Sequence, residues 1–131
     1  MTVDGIENVT IIPSNVNLAG AEIELIDFTE KEFILKNIVD YVKDDFDYII
    51  IDCPAGIEQG FENATAGASE AIVVATPEMS AVRDADRIIG LLEAKEHIEK
   101  YHLLLNRVRP NLIKTNDMMS VEDVENILLK I

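Results

Sequence analysis

Tyr48-Ile49-Ile50-Ile51-Asp52-Cys53-Pro54-Ala55-Gly56 is the stretch on which the fold turns. Apolar, β-favouring residues run without a polar break, end on an acid, and meet a proline and a glycine that force a turn. A continuous run of this kind suits a strand buried on both faces, as in a parallel sheet. A sheet with one wet face would alternate instead.

Three other runs read the same way: Val9-Thr10-Ile11-Ile12, Ala71-Ile72-Val73-Val74-Ala75 and His102-Leu103-Leu104-Leu105. Helical patterns lie between them. Ala21 to Leu25 is a short acidic candidate. Phe33, Ile34, Ile38, Tyr41 and Val42 repeat at near-helical spacing, behind a capping-box pair of Thr29 and Glu32. Val82, Ile88, Ile89, Leu91 and Leu92 mark a second amphipathic helix. A last helix is predicted from about Val121 to Leu129, with Ser120 as N-cap and Asp123 at its third position. Strands alternating with helices predict an α/β domain with a parallel sheet of about four strands, occupying residues 1–131 as one unit. Residues 109–119, broken by Pro110 and Asn116, are expected to form a mobile loop, with Met118-Met119 anchoring it to the core.

Bulk properties narrow the function. The 131 residues are 48% hydrophobic, enough for an aliphatic core. A formal charge of −14, from 25 acidic and 11 basic residues, opposes contact with nucleic acid or an anionic membrane. The single cysteine, Cys53, excludes a disulfide framework within the chain. No signal peptide and no membrane-length apolar stretch occurs, so a cytoplasmic location is expected.

Ligands of parallel α/β sheets sit beyond the carboxyl ends of the strands. Each predicted strand delivers polar groups there: Ser14-Asn15, Asp52, Thr76-Pro77-Glu78 and Asn106-Arg107. Asp52 fits either a magnesium-holding carboxylate beside nucleotide phosphates or an acid capping the next turn. Asn106 offers a donor and an acceptor to a purine edge, or simply a turn. Glu78 suits a ribose, a partner chain or the first turn of a helix, where its charge complements the dipole. Cys53 reads as packing rather than as a nucleophile, and His97 and His102 as surface and strand-edge residues.

Several stretches together resemble one family. Asp52-Cys53-Pro54-Ala55-Gly56-Ile57-Glu58 with Gly60-Phe61 is similar to the Walker B and switch II segment of MinD. The run Thr76-Pro77-Glu78-Met79-Ser80-Ala81-Val82-Arg83-Asp84-Ala85-Asp86-Arg87 resembles the MinD segment after the next strand. So do Leu103-Leu104-Leu105-Asn106-Arg107 and Asp117-Met118-Met119-Ser120-Val121-Glu122-Asp123-Val124. This likeness covers residues 47–131. Residues 5–53, with Ile12-Pro13-Ser14-Asn15 and Leu18-Ala19-Gly20-Ala21-Glu22-Ile23-Glu24-Leu25, resemble instead the Soj/ParA chromosome-partitioning branch, so the pattern changes near Cys53, as in a divergent natural member, a recombinant gene or an engineered or assembled chimera.

The MinD/ParA family of deviant Walker A ATPases implies a three-layer, P-loop NTPase-like (SIMIBI) fold, ATP and magnesium as ligands, and a dimerising switch in septum placement. By resemblance Asp52 is the magnesium-side acid, Pro54, Asn106 and Arg107 line the nucleotide, and Asn106 contacts adenine. Glu78, Ser80 and Asp84 lie on the dimer and partner side, toward MinC- or MinE-type proteins.

No GxxxxGK(S/T) stretch occurs in the 131 residues. That loop supplies the amide cradle, the lysine and the magnesium-binding hydroxyl of a P-loop site. The chain is therefore expected to be truncated relative to the family, without its phosphate loop or C-terminal membrane helix, and inactive alone. A non-catalytic interaction module, a Soj/ParA-like chromosome-partitioning fragment and a gene fragment with no independent role are the other readings. The resemblance places the missing phosphate-loop strand in the centre of the sheet, and the edge it would leave leads to the expectation that the chain self-associates or is marginally stable.

Overall fold

The computed structural model describes residues 7–13, 33–53 and 56–128. The chain divides into two compact units, Met1–Lys31 and Glu32–Ile131. In the first, the described stretch 7–13 contains a turn and a single bridging residue, Thr10. The strand expected at 9–12 is reduced to that bridge. The Ala21–Leu25 helix candidate and the Thr29–Glu32 capping box lie outside the described residues.

The second unit runs α1 (Phe33–Val42), a 3₁₀ turn (Lys43–Asp45), α2 (Gln59–Ala66), β1 (Glu70–Ala75), α3 (Met79–Glu93), β2 (Lys100–Leu105), α4 (Pro110–Lys114) and α5 (Val121–Leu128). β1 and β2 pair in parallel, from Glu70 opposite Lys100 to Ala75 opposite Leu105. A parallel pair needs a crossover, and α3 provides it. Its apolar positions Val82, Ala85, Ile89 and Leu92 recur at helical spacing and are all buried.

These four side chains meet Val73 and Ala75 from one face of the sheet, and Val124 and Leu128 from α5. Phe61 of α2 joins the same core. Tyr101, Leu103 and Leu105 of β2 pack against its margin, as does Met119, which anchors its loop as expected. The opposite face of the sheet is open: Ile72 is 66% exposed, Val74 60%, and Leu104 is exposed too.

The parallel α/β class is as expected, but the strand count is not. Among the described residues two strands form the sheet, not four. Residues 48–51 form no strand, and Tyr48 and Ile50 are 89% and 94% exposed. An apolar run becomes a strand only by hydrogen-bonding to another, and no strand among the described residues pairs with this one.

α1 forms where its periodicity predicts, but its apolar residues Phe33, Ile34, Ile38 and Tyr41 are exposed. It packs instead against α2. A Cβ at Gly67 would come within 3.2 Å of Lys36 Cα, so this glycine permits the close approach.

The segment expected to be a mobile loop is structured. α4 begins at its proline, whose fixed φ suits the first helical position. Arg109 N donates to Met118 Sδ (3.4 Å), Asp117 N to Leu112 O (2.9 Å), and Thr115 Oγ1 to Asp117 Oδ2 (2.6 Å).

Candidate functional site

Parallel pairing in register brings the carboxyl ends of β1 and β2 side by side. Asn106 N donates to Ala75 O at 2.8 Å, extending the ladder one residue past β2. Thr76-Pro77-Glu78 and Asn106-Arg107 therefore leave the sheet at the same edge. Pro77 is among the fully buried side chains and pins the first of these turns. Glu78 N donates to Thr76 O (2.8 Å), and Glu78 O accepts from Val82 N (2.9 Å), so Glu78 is the N-cap residue of α3. Its carboxylate makes no capping bond and stays exposed.

On the other strand, Asn106 Oδ1 accepts from Arg107 N at 2.8 Å. Arg107 takes φ 59°, a left-handed conformation rare for a residue with a long side chain. The asparagine thus serves as a turn former, while its side-chain amide nitrogen retains two donor hydrogens.

Ser80 and Asp84 stand one turn apart on α3, both exposed. Arg83 and Arg87 repeat the same spacing beside them and are exposed as well, giving α3 a mixed-charge outer face. The structure therefore gathers Glu78, Asn106 and Arg107 at one edge and carries Ser80 and Asp84 along the helix that leaves it. Asp52 is different. It is exposed and follows a run that forms no strand. Pro54 lies outside the described residues.

A nucleotide with magnesium needs more than these groups. Among the described residues no three of the His, Cys, Asp and Glu side chains gather to hold a metal ion. Asp52 is a single carboxylate where a magnesium site also draws on phosphate oxygens and a hydroxyl. The residues present do not complete such a site. Beside Asp52, the Cys53 thiol is raised above its ordinary pKa, first by burial and then by the neighbouring carboxylate. That disfavours a thiolate nucleophile, although Cys53 is exposed rather than packed as expected.

One feature was invisible in the sequence. Lys95 Nζ reaches Glu62 Oε2 at 2.6 Å and lies 5.6 Å from the centre of the Phe61 ring. His97 Nε2 donates to Thr65 O at 2.9 Å, at the carboxyl end of α2. The turn between α3 and β2 is thereby tied to α2 by residues more than 30 positions apart. No local motif announces such a contact.

A family model described as an AAA domain matches residues 1–108. A septum site-determining protein MinD from Synechocystis sp. is 63% identical over 94 residues, covering 72% of this chain and 35% of that protein. A chain from the MinC:MinD cell division protein complex of Aquifex aeolicus superposes with a TM-score of 0.67 at 43% identity, covering 72% of this chain and 39% of that one. MinD from Pyrococcus horikoshii, complexed with Mg-ADP, gives a TM-score of 0.62 at 26% identity, over 75% of this chain and 38% of that one. The chain thus spans about a third of the length of the curated relative it matches. No helix among the described residues is long and apolar enough to cross a membrane.

Proposed function

The chain belongs to the AAA-domain family, among the MinD/ParA ATPases, and from that premise we propose that it carries the magnesium-side and base-side half of a nucleotide-dependent dimerising switch in division-site selection. The observation that carries this is the shared edge of β1 and β2, where Glu78, Asn106 and Arg107 come together. The likeness to MinD supports it.

In this proposal residues 1–131 are one partial family domain. Asp52 is the magnesium-side acid and Pro54 shapes the turn after it. Asn106 presents its amide hydrogens to a purine edge, with Arg107 beside it. Glu78, Ser80 and Asp84 face a partner, either a second copy of the chain or a MinC- or MinE-type protein. Its setting is the cytoplasm, without contact to nucleic acid and without a membrane anchor in these residues.

Phosphoryl transfer rests on positioning and electrostatic stabilisation of the phosphates. The 131 residues hold no phosphate loop for that task, so they do not hydrolyse ATP by themselves. Exposure of Asp52, away from any strand, favours the second reading, a non-catalytic interaction module. A phosphate-release assay with Mg-ATP tests the incomplete site. No turnover above background is expected from the chain. Turnover that disappears in Asp52→Ala would overturn the proposal of an incomplete site.

A further inference from the structure

Charge in this chain is segregated. It holds 25 acidic and 11 basic residues, yet residues 100–116 carry Lys100, Arg107, Arg109 and Lys114 and no acid at all. Arg107, Arg109 and Lys114 are exposed, and none of them pairs with a carboxylate among the described residues. They stand on a segment ordered by its own bonds. Arg109 O accepts from Leu112 N (3.0 Å) and Ile113 N (3.2 Å), Asn116 N donates to Ile113 O (3.1 Å), and Met119 packs against the core. An ordered cationic loop has little backbone freedom left to lose when a partner binds.

We infer that Arg109 and Lys114, with Arg107 beside them, form a docking surface for an extended acidic peptide of a partner protein. The surface is separate from the nucleotide half-site in function and does not depend on it.

Spacing fits such a peptide. Arg109 is the N-cap residue of α4 and Lys114 its last residue, so the helical rise sets them about 7.5 Å apart along the axis. Arg107 precedes Arg109 by two residues, a reach of at most about 7 Å. Alternate residues of an extended peptide stand about 7 Å apart on one face, so carboxylates at those positions meet successive cations. Arginine adds a fork that matches a carboxylate. Exposed side chains suit this multipoint contact, whereas a small anion needs donors gathered in an enclosed site.

Range decides between a peptide and a lipid surface. At physiological salt, charges are screened beyond about 8 Å. A peptide lying on the loop therefore senses the loop more than the distant acids. Asp117 and, across the strand edge, Glu78 limit the patch. A flat anionic membrane meets many exposed carboxylates at once, Glu122 and Glu125 of α5 among them, and the net charge of −14 opposes it. Single exposed ion pairs are weak, so the contact is expected to be weak and salt-sensitive.

Fluorescence anisotropy of labelled octaglutamate with the whole chain tests the surface, because a chain this acidic has no general attraction for that probe. The variants are Arg109→Glu, Lys114→Glu and, as a control of equal charge change on α3, Arg87→Glu. Saturable binding is expected, weakened by salt and at least about fivefold by each loop variant, with Arg87→Glu close to the wild type and helical circular dichroism unchanged in all three. Absence of binding to the wild-type chain overturns the inference. So does binding that both loop variants retain, or that Arg87→Glu weakens equally, since net charge alone would then govern it. Flotation of the chain with phosphatidylserine vesicles, lost in the loop variants while octaglutamate fails to bind, would give the loop to a membrane instead.

Discussion

Ser120 and Asp123 close the entrance of α5 on each other. Ser120 Oγ accepts from Asp123 N (3.0 Å), and Asp123 Oδ2 accepts from Ser120 N (2.9 Å) and Ser120 Oγ (2.7 Å). This is a reciprocal cap, with Asp in the place more often held by Glu. The bonds from Ser120 hold the Asp123 carboxyl below its usual pKa. A carboxylate with a lowered folded pKa adds stability above its unfolded pKa, and that stability is lost as pH falls through the folded value. Melting followed from neutral to acid pH should therefore show a decline below the ordinary carboxylate range that is shallower in Asp123→Asn. Ser120→Ala should cost about 1 kcal/mol at neutral pH. An unchanged melting temperature in Ser120→Ala would remove the cap from the account. The pair was legible in the sequence because a capping box is a local pattern. The left-handed turn at Arg107 was not, since arginine gives no sign of a positive φ. Asn106 signalled only a turn.

At the scale of elements, the apolar runs and helical periodicities predicted where β1, α3, β2 and α5 lie. All four contribute to one core, so burial and pattern agree. The run at 48–51 shows where pattern reading stops. Its side chains favour a strand, but a strand also needs backbone partners, and the sequence of one segment does not supply them. α1 shows a second limit. Its apolar spacing predicts a helix but not what it packs on, and its contact with α2 goes through half-buried Lys36 and the space that Gly67 leaves. The contrast predicts opposite outcomes for two large-to-small changes. Ile89→Ala, in the core of α3 at 2% exposure, should cost about 2–5 kcal/mol in denaturant unfolding. Tyr41→Ala, on the outer side of α1, should stay within about 0.5 kcal/mol. Equal losses at both sites would mean that α1 buries the face the structure leaves open.

For the whole molecule, family membership was more legible than activity. Motifs spread across the chain matched a family whose model covers residues 1–108. The half-site is different, because a site is a geometry assembled from several strands. Glu78, Asn106 and Arg107 meet through the pairing of β1 with β2, whereas Asp52 follows a run that joins no strand. The groups that would cradle phosphates are not encoded in these 131 residues. Calorimetric titration of the chain with Mg-ATP tests this most directly. The account predicts no saturable heat of binding, because these 131 residues hold no phosphate loop to cradle the nucleotide. Saturable binding that weakens on Asp52→Ala would contradict it, and would mean that these residues complete the site themselves.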